Sequence, residues 1–178
     1  MQLHEFEGVL HAAQAGADWA WSRLHDAYAG RVLGYLRSRG AADPEGLLGD
    51  VLLQVARNVG TFEGGESEFR SWLFLIAHNR VIDERRRRGR RPEQVLRDIH
   101  HPAVASAEQG AFENMSIDAA MEVLEVLTDE QREVLALRVI AGLSLEETAT
   151  IMDKNVNAIK QLQHRAITAL RRTIPASP

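Results

Sequence analysis

Apolar residues recur at intervals of three and four along most of the chain and nowhere settle into alternation, which predicts helices and no sheet. Phe6, Val9, Leu10 and Ala13 form one stripe, and Leu24, Tyr28, Val32, Tyr35 and Leu36 a second. Leu47, Val51, Leu52, Val55 and Val59 form a third. A fourth helix is expected in "FRSWLFLIAHNRVIDERRRR", with Phe69, Leu73, Ile76, Ala77 and Ile82 as its apolar face. "GAADPEG" and "TFEGGES" supply turns between these elements. After Pro92 the periodicity dissolves into "HHPAVASAEQGAFENMS", whose small and polar residues read as a tether, and it returns at Ile117.

The sharpest local signal lies in "LSLEETATIMDKNVNAIKQLQHRAITALRR". Ser144 with Glu147 is a capping box that starts a short helix running to about Met152. Asp153 to Asn155 form a tight turn, and Asn155 can cap a second helix beginning near Val156. The expected fold is therefore all-α. Two small helical domains, 1–92 and 116–178, are joined by a flexible acidic linker over 93–115, and the C-terminal domain is a helix-turn-helix.

Composition narrows the function classes. With 178 residues and 45% apolar content the chain can fill real cores. It has no cysteine, which excludes disulfides and thiolate metal sites. The acidic N-terminus is unlike a signal peptide, and no apolar run approaches the roughly 20 residues of a membrane span, so a soluble cytoplasmic protein is expected. The net charge of -4 hides strong segregation. Residues 80–91 hold seven arginines against Asp83 and Glu84, and residues 154–172 hold five bases and no acid. Between them, residues 93–133 carry ten acids against Arg97 and Arg132. A polyanion responds to such local clusters, since screening confines each charge to about 8 to 10 Å at physiological salt.

On the second C-terminal helix Ile159, Leu162, Ala166 and Ala169 share the inward stripe. Asn157, Lys160, Gln161 and His164 face the other way, with Arg165 at the edge. Those outward groups are the donors and acceptors that read base edges from a helix in the major groove. Near the fourth helix, Phe62 and Trp72 flank the loop "EGGESE" beside the arginines. Aromatics in a basic setting stack on unpaired bases, at roughly 1 to 3 kcal/mol per base. The seven histidines show no metal-ligand spacing, and no nucleophile elbow, phosphate-binding loop or zinc signature is present, so neither catalysis nor a cofactor is expected. Reading a duplex with one half and capturing a single strand with the other describes a protein that locates a site and opens it. Two alternatives stay open from these residues: a dimeric helix-turn-helix regulator on a palindromic site, and a nonspecific or RNA-binding protein relying on "RRRRGRR".

Two sets of motifs in order, "DPEGLLGDVLLQVARN" with "FRSWLFLIAHNRVIDERRRR", then "LTDEQREVLALRVIAGLSLEETATIM" with "AIKQLQHRAITAL", carry a family resemblance. The chain resembles the extracytoplasmic-function (ECF) group of bacterial sigma factors in the sigma-70 family, subunits that give core RNA polymerase its promoter specificity. The resemblance runs from Ala27 to Ile174. It implies that the helix from Pro44 to Asn58 docks on core polymerase, with Glu45, Leu48, Asp50 and Gln54 as contacts. It also implies that the loop from Phe62 to Phe69, including Ser67 and backed by Trp72 and Asn79, captures a flipped base of the minus-ten element. Arg80, Asp83, Arg86 and Arg87 would then lie against promoter DNA.

The same resemblance makes the helix after Asn155 the reader of the minus-thirty-five element. Asn157, Gln161 and His164 would contact base edges, Lys160 and Arg165 phosphates, and Asn155 at the start of the helix would also lie at the DNA. It implies three partners or states: core RNA polymerase, promoter DNA, and an anti-sigma factor that holds the protein inactive, with a monomer when free of them. The chain departs from the family pattern at several positions. Gly46, Gly49 and Asp50 stand where an acid, a glutamine and a glutamate are usual. Asp153, Lys154 and Thr148 replace a glycine, a small apolar residue and an aliphatic one. Aspartate accepts a left-handed backbone better than most residues, so the turn is expected to survive.

Overall fold

The computed structural model describes residues 3–89 and 126–173, and every regular element among them is helical. Helices α1 (Leu3–Gln14), α2 (Asp18–Ser38), α3 (Pro44–Asn58) and α4 (Glu66–Gly89) form an N-terminal bundle. A 3₁₀ turn, Val59–Thr61, links α3 to the loop before α4. The start of α3 follows the rules for an N-terminus: Pro44 opens the helix, and the Asp43 carboxylate accepts from the Gly46 amide at 2.9 Å. The three stripes read in the N-terminal part pack inward. Phe6, Val9, Leu10, Ala13, Leu24, Tyr28, Val32, Tyr35, Leu36, Val51, Val55 and Val59 are all buried.

The C-terminal unit consists of α5 (Asp129–Leu135), a π-helical turn over Ala136–Ile140, α6 (Leu145–Ile151) and α7 (Val156–Thr173). Capping boxes open both short helices, Thr128 with Gln131 on α5 and Ser144 with Glu147 on α6. In the turn between α6 and α7, Asp153 takes a φ of 51°, and Asn155 Oδ1 accepts from the Ala158 amide at 2.8 Å. The expected helix-turn-helix and its cap are present. The expected tether at 93–115, with the domain limits set at 92 and 116, lies outside the described residues.

One expectation needs correction. The apolar face read for α4 is incomplete, because Phe74 and Val81 are also fully buried while Ile82 is only partly so. The C-terminal unit packs against α2 and α4 and covers a second side of α4. Ala136, Leu137, Ala141, Leu143 and Ile151 thereby join the same apolar cluster as Tyr35, Leu36 and Phe74. The two helical regions share one core.

Candidate nucleic-acid interface

Helix α7 is seated by Ile159 and Ala166, both fully buried, with Ile159 against Val134 and Ala149. That seating leaves Asn157, Lys160, Gln161, His164 and Arg165 exposed along the outer face, as the periodicity predicts. Asn155 is exposed as well, but its side chain is committed to the cap. Lys154 is tied to Glu130 at 2.8 Å, which fixes the turn to α5. Behind the turn, Thr148 is 0% exposed and its hydroxyl has no hydrogen-bond partner.

On the bundle, the rings of Phe62 and Trp72 stack at 5.1 Å with an interplanar angle of 26°. They border a cavity of about 380 Å³ whose other walls are Gln54, Asn58, Thr61 and Glu63. Flat apolar rings beside amide, hydroxyl and carboxylate groups suit a nucleobase, which needs a stacking face and edge partners. Gln14 anchors the rim by donating to the carbonyls of Val59 and Phe62 at 3.1 and 2.9 Å. Phe69 departs from its expected place in this site. Its ring is 1% exposed and packs among Phe6, Tyr28, Phe62 and Trp72, so it supports the stack from behind. Asn79 is exposed two turns along α4 and does not line the cavity.

The arginine run divides by partner. Arg86 and Arg87 are exposed, Arg86 standing 3.9 Å from Asp83. Arg88 is held by Glu84 at 2.6 Å, and Arg85 by Asp129 at 2.8 Å. Arg80 donates to Gln54 Oε1 at 2.7 Å, which joins a residue expected at DNA to one expected at polymerase. On α3, Glu45 and Asp50 are exposed, Leu48 is half-buried, and Glu45 accepts from Arg37 at 2.6 Å. A Cβ at Gly46 would meet the capping Asp43 carboxylate at 2.2 Å, so the usual acid there would displace the cap. A Cβ at Gly49 meets nothing within 4 Å.

Sequence reasoning missed a polar seam between the units. Glu133, only 6% exposed, accepts from Arg39 at 3.1 Å, Tyr35 at 3.2 Å and His78 Nδ1 at 2.5 Å. Burial alone would raise the Glu133 pKa, but the His78 hydrogen bond and the Arg39 charge outweigh it and hold the carboxyl below its ordinary value. Burial and the neighbouring carboxylate push the Tyr35 phenol up, so it stays a donor. Glu147 accepts from Ser67 at 2.9 Å and Ser71 at 2.5 Å; burial opposes its ionised form, and these bonds with the Ser144 amide prevail and lower its pKa. Ser67, expected at DNA, is turned to the C-terminal unit. Among the described residues no group of three or more His, Cys, Asp or Glu could hold a metal, and no helix is long and apolar enough to cross a membrane.

Known proteins share this arrangement. Residues 24–91 match the model of sigma-70 region 2, and residues 123–172 that of sigma-70 region 4. The chain is 35% identical over 171 residues to the ECF RNA polymerase sigma factor BldN of Streptomyces coelicolor, with 94% of this chain covered. It spans 65% of the length of that relative. It is 33% identical over 186 residues to the ECF RNA polymerase sigma factor SigD of Mycobacterium tuberculosis, covering 99% of this chain and 87% of SigD. The sigma factor RpoE of Bartonella quintana, solved with the anti-sigma factor NepR, superposes with a TM-score of 0.71 at 22% identity, over 88% of this chain and 98% of that one. That likeness is one of fold.

Proposed function

This chain belongs to the ECF group of RNA polymerase sigma factors, and from that premise we propose that it binds core RNA polymerase and directs promoter recognition, melting and initiation. Members of such a group are polymerase subunits, not enzymes, and the family assignment disfavours the dimeric regulator. The observation that carries the mechanism is the pairing of two unlike nucleic-acid surfaces on one chain. One is a helix in a helix-turn-helix, with exposed Asn157, Lys160, Gln161, His164 and Arg165. The other is the polar cavity capped by the Phe62–Trp72 stack.

In this reading α7 enters the major groove at the minus-thirty-five element. Asn157, Gln161 and His164 read base edges, while Lys160 and Arg165 hold phosphates. At the minus-ten element Trp72 and Phe62 receive a base turned out of the stack, and Arg80, Asp83, Arg86 and Arg87 lie along the strand. Turning out a base costs a few kcal/mol, which stacking and edge contacts made only to the opened strand must recover. Melting is then selection of one state by binding energy. The outer face of α3, with Glu45, Leu48, Asp50 and Gln54, docks on core polymerase. An anti-sigma factor is proposed as a further partner, by analogy with the complex formed by RpoE, and the site of action is the cytoplasm, where polymerase works.

The test is transcription of genomic DNA by sigma-free core polymerase, with and without the protein, followed by sequencing of RNA 5′ ends. Discrete protein-dependent starts that share two upstream elements are expected. Core binding with no starts, or no core binding at all, would count against the reading.

A further inference from the structure

The cavity beside the Phe62–Trp72 stack has a polarity that follows from the bonds its walls already make. Its polar walls are Gln54, Asn58, Thr61 and Glu63. Three of these are bonded to groups that can play only one part, which fixes what each has left. Arg80 only donates, so the Gln54 atom 2.7 Å from it is the amide oxygen, and the Gln54 amide hydrogens are left to donate. The Gln54 carbonyl only accepts, so Asn58 gives it an Nδ2 hydrogen at 2.7 Å and keeps Oδ1 as an acceptor. The Asn58 carbonyl likewise takes the Thr61 hydroxyl hydrogen at 3.1 Å, which leaves Thr61 Oγ1 to accept. Glu63 is exposed, and among the described residues its carboxylate has no partner. The walls therefore offer three acceptor groups, one of them charged, and a single donor group.

The rim that carries Glu63 is anchored on both sides. Before it, Gln14 Nε2 donates to the carbonyls at the two ends of the 3₁₀ turn, Val59 and Phe62, and the Phe62 amide donates to the Val59 carbonyl at 3.0 Å. After it, Gly64 takes a φ of 144°, where a Cβ would stand 2.9 Å from Glu68 Cβ and 3.2 Å from Phe62 Cζ. The Gly65 amide in turn donates to Glu68 at 3.1 Å. Glu63 is thus held between fixed neighbours, so its charge stands at the cavity wall before anything binds.

A base turned out of its stack is read along the edge it would otherwise pair with, and the bases differ in what that edge requires. Thymine presents one N–H between two carbonyl oxygens. Cytosine and adenine each present one amino group beside acceptors. Guanine alone presents N1–H and a 2-amino group side by side, with one acceptor, O6, at the end of the edge. A carboxylate can accept from two adjacent N–H groups at once, through charge-assisted bonds roughly twice as strong as neutral ones. We propose that this cavity selects guanine: Glu63 accepts from N1–H and the 2-amino group, Gln54 donates to O6, and Asn58 or Thr61 accepts the remaining amino hydrogen. Thymine ranks last, because it would set two carbonyl oxygens against a wall of acceptors. The inference rests on the base-capture reading of the cavity and adds the identity of the base.

The test uses the free full-length protein and short single strands of DNA, thymidine throughout except at the central position, with binding followed by the anisotropy of a terminal fluorophore. Guanine at the centre should bind at least about tenfold more tightly than thymine, with adenine and cytosine between. Inosine, which is guanine without its 2-amino group, should bind a few-fold more weakly than guanine. Glu63→Gln keeps the shape and removes the charge. Losing a negative charge helps any strand to bind, so the readout is the guanine-to-thymine ratio, which should fall to about threefold or less. Trp72→Ala should instead weaken every strand to a similar degree, since every base has a stacking face. Equal affinities for the four bases, a preference for thymine, inosine binding as well as guanine, a ratio unchanged in Glu63→Gln, or no binding by any strand would each overturn the inference. The sigma-factor reading fails separately, if the protein gives no starts with core polymerase, and the strand affinities would still decide which base the cavity takes.

Discussion

The N-terminal bundle and the C-terminal unit solve the same problem with unequal means. The bundle buries Phe6, Tyr28, Tyr35, Phe69 and Phe74, large rings that touch one another edge to face or tilted, and so owns a core sufficient for four helices. The C-terminal unit has a small cluster of its own, Val134, Ala149 and Ile159, and takes the rest of its burial from the bundle through Leu137, Leu143 and Ile151. Aromatic burial is among the largest single contributions to a core, so the bundle should hold its shape whether or not the smaller unit is attached. A unit that borrows part of its core is one that can be handed to another partner. The difference suits the proposed function, in which a rigid bundle presents the cavity beside Phe62 and Trp72 and the smaller unit presents the exposed face of α7.

The most severe way to break the comparison is Phe69→Ala. Removing a fully buried ring from the centre of the aromatic cluster should destabilise the chain by about 3 to 5 kcal/mol in urea denaturation, with the loss centred on the bundle. Next comes the seam. Glu133→Gln should cost about 2 kcal/mol at neutral pH, because Arg39 keeps its burial and loses its counter-charge. Glu133 is held below its usual 4.5, so the stability it contributes is present above that value and is lost as pH falls through the lowered folded-state pKa. The difference between wild type and Glu133→Gln should therefore shrink in acid, and a difference independent of pH would show that the carboxylate charge is not what holds the seam.

Two smaller changes sharpen the contrast by strengthening one side at a time. Thr148→Val removes a buried hydroxyl that has no partner and keeps the branched shape, so it should stabilise by about 1 kcal/mol. Its effect should appear in hydrogen exchange of α6 and α7 more than in the bundle. Gly49→Gln replaces an interior helical glycine with open space around it and should stabilise α3 by roughly 0.5 to 1 kcal/mol in thermal unfolding. If Glu45 and Asp50 mark the polymerase face, the same change should tighten association with core, measured by co-migration. A weaker complex would place the contact elsewhere.

Much of the candidate site was legible because its signals are local. The capping box at Ser144 and Glu147, the Asp153 turn and the outward set on α7 each depend on residues a few positions apart, and the structure realises them with those residues. Phe69 misled for a related reason: helical spacing marks an apolar face without saying whether a ring at its edge looks into the core or out of it. The buried Phe74 and Val81 escaped because a helix packed on two sides no longer shows a single stripe.

By itself, then, the sequence determined the helices, their caps, the separation of basic from acidic segments and the family to which the chain belongs, since all of these follow from short-range spacing and residue type. Only the tertiary structure decided that Arg39 and His78 meet Glu133, partners 94 and 55 positions apart. It alone decided that Glu147 both caps α6 and seals the seam against Ser67 and Ser71. Backbone periodicity is set within a few turns of helix, whereas the pairing of distant charges depends on which faces are pressed together and how completely water is excluded between them.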